Sequence, residues 1–224
     1  MTDDGDPGAT RKAELDRLVG EIRAGLAAAN AARELALPAC RRVVRASGSS
    51  IRAVHRLDAE RAGEVADEAE VALREAQIAV AGFPAVAEAG FLHDAEKELA
   101  EARLTAALVD GTPLPGPGDL ALGLAAWLNG LAEAASELRR HLLDRLRAGE
   151  TARAESLLAA MEDVYDLLVT IEYPDAITGG LRRTTDALRA VVERSRADVT
   201  TTVLQAQLQQ AIEARRDRGA ELAR

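Results

Sequence analysis

Residues 97–102 read Lys-Glu-Leu-Ala-Glu-Ala, and residues 130–140 read Gly-Leu-Ala-Glu-Ala-Ala-Ser-Glu-Leu-Arg-Arg. Each segment carries two glutamates at helical spacing, three residues apart in the first and four apart in the second. Residues at these spacings share one face of an α-helix. Because only a short Pro- and Gly-rich segment, residues 111–118, lies between them, the sequence predicts two antiparallel helices packed side by side.

The glutamates of these two helices are candidate ligands of a hard divalent cation such as Mg²⁺ or Mn²⁺, which prefers oxygen donors. The candidates are Glu98, Glu101, Glu133 and Glu137. Residues 120–135 are nearly all apolar, which is typical of a buried helix, and a buried carboxylate needs a cation or a hydrogen-bond network. The alternative is that Glu137 pairs with Arg140 or His141 while Glu133 reaches solvent.

The composition indicates a helical, cytoplasmic protein. A chain of 224 residues suits one domain or at most two. Hydrophobic residues make up 48% and aromatics only 2%, so the core must consist of Ala, Leu and Val. The single cysteine, Cys40, excludes an intrachain disulfide. The acidic start lacks the features of a signal peptide, and no apolar stretch reaches the roughly 18 residues of a membrane span, so we expect no membrane association.

The periodicity of apolar residues predicts six or seven helices and no β-strand. Residues 1–8 are expected to be disordered, and residues 9–224 to form a single all-α domain. The first helix should begin near Ala9 and kink or break at Pro38. The further helices are predicted at residues 58–81, 85–109, 120–148, 151–172 and from 181 onward.

The clearest segregation of charge lies in residues 35–57, which contain five arginines and no acidic residue. At about 100° per residue, four of the arginines fall within about 60° of one another around a helix axis. These four are Arg41, Arg45, Arg52 and Arg56. The net charge of −9 argues against a generally basic surface, but this local stripe predicts a nucleic-acid phosphate partner. The alternative is a solvated face paired with acids of a neighbouring helix.

Other arginines are weaker candidates for nucleic-acid binding. They are Arg139, Arg140, Arg182 and Arg183. On the last helix, Asp186 and Glu193 are interleaved with the arginines, which favours internal salt bridges for most of them.

Several catalytic classes are excluded by absent motifs. The chain has neither a Walker-type phosphate loop nor a dinucleotide fingerprint. Cys40 has no nearby histidine, and no histidine follows a glutamate at the Glu-x-x-His spacing of ferritin-like di-iron sites. All-α nucleotide pyrophosphohydrolases use Glu-x-x-Glu and a second acidic pair one helix later, and this class remains an alternative. Their second pair is typically three residues apart, whereas Glu133 and Glu137 are four apart.

The two glutamate motifs resemble those of the translin superfamily, in particular the archaeal and bacterial homologues of translin-associated factor X. The family motifs read roughly Gln-Glu-(Tyr or Phe)-Val-Glu-Ala and Gly-Leu-x-Asp-x-x-Gly-Glu-Leu-Arg-Arg. Three further segments are similar to family signatures: residues 51–56, 173–176 and 180–183. The resemblance covers about residues 33–200. This chain departs from the pattern by Lys97 in place of Gln, Glu133 in place of Asp, and Ser136 in place of Gly.

The resemblance implies a seven-helix α fold that assembles into a closed octamer, whose basic inner surface binds single-stranded RNA or DNA. It also implies a Mg²⁺-dependent endoribonuclease site, with catalytic and metal-binding roles for the carboxylates at Glu98, Glu101, Glu133 and Glu137. In the translin branch the site is incomplete and the protein binds without cutting. We therefore expect a homo-oligomeric endoribonuclease, with a non-catalytic single-strand binding protein as the first alternative.

Overall fold

The computed structural model describes residues 7–222, which form helices and connecting loops without a β-strand. The helices are α1 (Pro7–His55), α2 (Ala59–Val80), α3 (Pro84–Ala87), α4 (Phe91–Asp110), α5 (Leu124–Arg147), α6 (Thr151–Leu168), α7 (Asp175–Thr178) and α8 (Leu181–Leu222). Six of these are long, and α3 and α7 are single turns. The all-α prediction is confirmed. The predicted disorder falls mainly on residues 1–6, outside the described residues, while Pro7 and Gly8 belong to α1.

The core of the bundle lies where α4 and α5 pack against each other. Helix α1 packs along α2 and α4, and α5 also contacts α6 and α8. The largest fully buried side chains include Leu99 and Leu104 of α4 and Leu131 and Leu138 of α5, and each contributes about 1.5–3 kcal/mol by its burial. Alanines fill much of the remaining core, which allows the helix backbones to approach closely at the centre of the fold.

Helix α1 continues through Pro38, so of the predicted kink or break the break is wrong. Proline removes one backbone hydrogen bond of the helix, but the turns on either side are held by buried Ala36, Ala39 and Val43. The burial of this face against α2 and α4 offsets the missing bond.

The helix predicted over residues 85–109 is divided into α3 and α4. Gly90 separates them with a backbone φ of 92°, a left-handed value that glycine adopts without strain. The helix predicted to begin at residue 120 instead begins at Leu124, whose side chain is exposed. The loop before it has its own contacts, since the Trp127 indole donates to the Pro115 carbonyl at 3.0 Å.

Both chain-terminal helices extend past the packed core. No described side chain of α1 before Ala32 is buried, and none of α8 after Val199. Exposed apolar residues recur along both extensions: Leu15, Leu18, Val19, Ile22, Leu26, Leu204, Leu208 and Ile212. Such rows of apolar side chains indicate contact with another surface. Within residues 7–222, no helix combines the length and apolar character needed to cross a bilayer.

Candidate metal centre

The site begins with the close crossing of α4 and α5 at Gly130. A Cβ atom at this position would lie 2.5 Å from the Cβ of Ala100, 2.8 Å from the carbonyl oxygen of Lys97 and 3.0 Å from the backbone nitrogen of Glu101. These distances are too short for any side chain, so only glycine permits this approach of the two backbones. The crossing lies within one helical turn of Glu133, and therefore brings its carboxylate to the acidic face of α4.

Three of the four predicted carboxylates meet at this crossing. One oxygen each of Glu98, Glu101 and Glu133 lie within 4.8 Å of one another, and all three residues are half-buried. The oxygens around a single Mg²⁺ lie roughly 3–4 Å apart, so a small contraction of the cluster would enclose an ion. An all-oxygen donor set suits Mg²⁺ or Mn²⁺. The extra methylene of Glu133, relative to aspartate, does not keep it out of the cluster.

Burial and mutual repulsion disfavour full ionisation of this cluster. Burial, together with the charges of neighbouring carboxylates, raises the pKa of Glu101 to about 8. Burial also raises the pKa of Glu98. The metal-free cluster therefore carries a proton near neutral pH, and a divalent cation would displace that proton by supplying the missing positive charge.

Lys97 supplies a positive charge from within the chain. Its Nζ donates to Glu133 Oε1 at 2.8 Å and lies 3.9 Å from Glu98 Oε1. Burial by itself would lower the pKa of Lys97, but the hydrogen bond to Glu133 and the nearby carboxylate charges outweigh it, and the pKa is raised. The ammonium is therefore charged at physiological pH and neutralises part of the cluster.

Glu137, the fourth predicted ligand, is bonded elsewhere. The Nε2 of His55 donates to Glu137 Oε2 at 2.8 Å, and only 4% of the His55 side chain is exposed. This hydrogen bond lowers the pKa of Glu137, so its carboxylate is ionised. The charge of Glu137 still contributes to the raised pKa of Glu101, which places it beside the three-carboxylate cluster rather than in it.

The sequence-based alternatives for these carboxylates named the wrong partners. Glu137 pairs with His55 rather than with Arg140 or His141, and Glu133 pairs with Lys97. His55 lies within a segment similar to a family signature, residues 51–56, which was the one available signal for it. No sequence pattern predicted the contact of Lys97 with Glu133.

The predicted arginine stripe lies exposed on α1 except for its last member, because α1 ends at His55 and Arg56 lies in the turn that follows. Arg41, Arg45, Arg52 and Arg56 are all exposed. Within residues 7–222 none of the four is ion-paired, whereas their neighbour Arg42 pairs with Glu75. The alternative that acids of a neighbouring helix neutralise the stripe therefore does not hold in the described chain.

Two points on the stripe lie near residues that adjoin the carboxylate cluster. At one end, Arg41 and Arg45 line a groove together with Asp94, which lies one turn before Glu98 on α4. At the other end, the stripe brackets His55 on α1, which holds Glu137.

The other predicted arginines differ from one another. Arg139 bonds Asp198 at 2.8 Å and Ser195 at 3.0 Å, which ties α5 to α8. Arg140, Arg182 and Arg183 are exposed. The salt bridges expected along the last helix are seen, in the described part of α8, only for Arg196, which pairs with Glu193 and with Glu162 of α6. Arg139 therefore has a structural partner, while the three exposed arginines remain candidates for phosphate binding.

The chain is similar to a small set of known proteins. No protein-family model matches the sequence. A curated but uncharacterised protein of Methanocaldococcus jannaschii is 31% identical over 77 residues, and this match spans 34% of the chain and about a third (34%) of the relative's length.

Solved structures match over much more of the chain. AfC3PO in a complex with duplex RNA is 31% identical, with a TM-score of 0.71 over 87% of this chain and 97% of AfC3PO. A second AfC3PO structure is 30% identical, with a TM-score of 0.69, and the match covers 87% of this chain and 98% of that one. Apo-NeC3PO is 19% identical with a TM-score of 0.72 over 84% and 96% of the two chains, which shows a shared fold.

Proposed function

Because this chain belongs to the translin superfamily, we propose that it is a metal-dependent endoribonuclease that cuts single-stranded RNA at the carboxylates of α4 and α5. The observation that carries the proposal is the convergence of Glu98, Glu101 and Glu133 within 4.8 Å, beside an exposed arginine stripe on α1. Its structural relatives are C3PO proteins, members of an RNA-processing complex, and one of them was solved with duplex RNA.

The carboxylates divide into two roles. Glu98, Glu101 and Glu133 would hold Mg²⁺ or Mn²⁺, which when bound lowers the pKa of a water molecule and stabilises charge on phosphate oxygens. Glu137 is kept ionised and fixed in orientation by His55. In this proposal it would accept a proton from the attacking water or add a fourth oxygen to the metal site.

The arginine stripe would position the RNA. Exposed guanidinium groups bind phosphate oxygens through paired N–H donors, and such contacts do not depend on base sequence. The net charge of −9 would repel RNA from most of the surface, so binding is expected at this local basic stripe. Single-stranded DNA carries the same phosphates and is expected to bind there as well.

We further propose that the chain works as a homo-oligomer, an octamer by the family resemblance, that encloses the stripe. The exposed apolar rows on the extensions of α1 and α8 favour such self-association. Light scattering should give a mass several times that of the 23.7 kDa chain. A monomer at micromolar concentration would contradict an enclosed RNA-binding cavity.

The test of the function is cleavage of end-labelled RNA by the purified protein. We expect single-stranded RNA to be cut with Mg²⁺ or Mn²⁺ and to remain intact with EDTA, and duplex RNA should be run in parallel because AfC3PO was solved with a duplex. Glu137→Gln should keep the hydrogen bond from His55 and abolish cleavage. Cleavage by Glu137→Gln at the wild-type rate would contradict the four-glutamate site.

One observation favours a second candidate, a protein that binds RNA without cutting it. The Lys97 ammonium already satisfies Glu133, and a site that cannot exchange it for a metal ion would be inactive. Binding of RNA without cleavage in any divalent ion would identify this candidate. Hydrolysis of free nucleoside triphosphates, measured in the same preparations, would instead identify a pyrophosphohydrolase.

A further inference from the structure

The carboxylate cluster already contains a cation in the form of Lys97. The Nζ atom donates to Glu133 Oε1 at 2.8 Å and lies 3.9 Å from Glu98 Oε1. An ammonium group is a compact charge with three donors, and here it lies within 4 Å of two of the three carboxylates that would hold a metal.

We propose that Lys97 is an intrinsic competitor of the divalent ion, so that metal binds only when the ammonium leaves Glu133. The inference rests on the proposed function, because it takes the cluster to be the metal centre. Glu133 is one of the three residues that would hold the metal, and Lys97 already donates to one of its two carboxylate oxygens. The two cations would also repel each other at this short range. The site is thereby set to a lower metal affinity than its carboxylates alone would give.

The structure allows the ammonium to leave without disturbing the helices. The carbonyl oxygen of Lys97 lies in the close contact of α4 with Gly130, so the backbone is fixed there. The side chain is 23% exposed, and four rotatable carbons connect the ammonium to that backbone. A change of rotamer can therefore place the ammonium in solvent while Glu98, Glu101 and Glu133 stay in position.

The first experiment measures Mn²⁺ affinity by calorimetry or by electron paramagnetic resonance. Lys97→Gln and Lys97→Met both remove the positive charge. Each should bind Mn²⁺ at least about tenfold more tightly than the wild type, which corresponds to about 1.4 kcal/mol of binding free energy. Lys12→Gln is the matched control, because Lys12 is exposed on the unpacked extension of α1 and its loss should leave the affinity unchanged. Circular dichroism establishes that each variant is folded.

The second experiment uses the wild-type chain, in which Lys12 and Lys97 are the only lysines. Labelling of lysine amines, followed by mass spectrometry, reports on each residue separately. Mn²⁺ should accelerate labelling of Lys97, because displacement from Glu133 exposes its amine, and should not change labelling of Lys12. This measurement tests the proposal even if neither Lys97 variant folds.

The outcomes separate this inference from the proposed function. If the Lys97 variants bind Mn²⁺ with wild-type or weaker affinity, and labelling of Lys97 does not respond to Mn²⁺, the competition is overturned while the metal centre stands. If neither the wild type nor the variants bind Mn²⁺, the metal centre and the competition are overturned together. Tighter binding by the variants, with faster labelling of Lys97, supports the proposal.

Discussion

The carboxylate cluster of α4 and α5 and the arginine stripe hold their charges in opposite ways. The packing of two helices forces the cluster's like charges together, and a proton and Lys97 compensate for them, while His55 donates to the neighbouring Glu137. The stripe consists of exposed cations without an acidic partner in the described chain. Changes in the cluster should therefore alter both chemistry and stability, whereas changes in the stripe should alter only the binding of an anion.

The largest expected effect is the loss of cleavage on removal of one cluster charge. Glu101→Gln keeps the shape of the side chain but removes a carboxylate ligand, so cleavage of labelled RNA should fall by more than about 100-fold. RNA affinity should be unchanged, because the stripe is intact. The control is Glu155→Gln, an exposed carboxylate of α6, which should cleave normally. Cleavage by Glu101→Gln at the wild-type rate would separate the cluster from the chemistry.

The next effect tests whether helix packing creates the cluster. In Gly130→Ala the new Cβ meets Ala100 at 2.5 Å, so α4 and α5 must separate. We expect the free energy of unfolding to fall by about 1–3 kcal/mol and Mn²⁺ affinity to fall by about 10–100-fold.

The control for this variant is a second helical glycine. A Cβ at Gly63 of α2 would have no atom within 4 Å, so Gly63→Ala should stabilise the chain by up to about 1 kcal/mol. Unchanged Mn²⁺ affinity in Gly130→Ala would mean that the cluster does not depend on the close crossing.

The stripe should show the opposite pattern, with weaker binding and unchanged stability. The double variant Arg45→Gln/Arg52→Gln should bind RNA of any sequence about tenfold more weakly, and the log–log salt slope should decrease by about 0.7 for each lost phosphate contact. Arg61→Gln/Arg196→Gln removes the same charge from two exposed, ion-paired arginines and should bind normally. A loss of thermal stability with unchanged RNA affinity would instead show that the stripe has a structural role. The RNA-binding surface would then be sought at Arg140, Arg182 and Arg183.

The smallest effect is a dependence of stability on pH in the metal-free chain. The pKa of Glu101 is raised to about 8 in the folded state, so between its ordinary value and pH 8 the folded chain binds a proton that the unfolded chain does not. Stability from this group is therefore present at low pH and is lost as the pH rises toward 8. The melting temperature should fall by a few degrees over this range.

Two comparisons sharpen this pH prediction. In Glu101→Gln the melting temperature should fall less between pH 5 and pH 8, because the amide mimics the protonated carboxyl. With saturating Mn²⁺ the melting temperature should instead rise with pH, because metal binding releases the proton. An equal change of melting temperature from pH 5 to pH 8 in the wild type and in Glu101→Gln would show that Glu101 does not hold a proton in the folded chain.

The sequence predicted the features that depend on local spacing. The all-α class and the translin superfamily are confirmed, and the three- and four-residue spacings placed the glutamates of α4 and α5 on facing sides. The roles of these glutamates in metal binding and catalysis, and of the arginines in RNA binding, stay predictions. Helix ends were less accurate, because Gly90 divides one predicted helix and Pro38 does not end another.

The sequence did not predict the partners that set the chemistry of the site. Lys97 is separated from Glu133 by 36 residues and His55 from Glu137 by 82, so each contact depends on how the whole bundle packs. Gly130 stands in a recognisable motif, but its importance follows from the atoms of α4 that it meets. Spacing along one helix fixes which face a residue occupies, and only tertiary packing fixes which charge it meets.

The most direct test is a crystal structure with Mn²⁺ and an RNA carrying a non-cleavable linkage. We expect an anomalous peak within about 2.0–2.6 Å of oxygens from Glu98, Glu101 and Glu133. The Lys97 ammonium should be displaced from Glu133, and the RNA phosphates should follow the arginine stripe to the metal. An absence of any peak at the cluster, with Lys97 still bonded to Glu133 and the RNA bound elsewhere, would contradict a metal-dependent nuclease at this site.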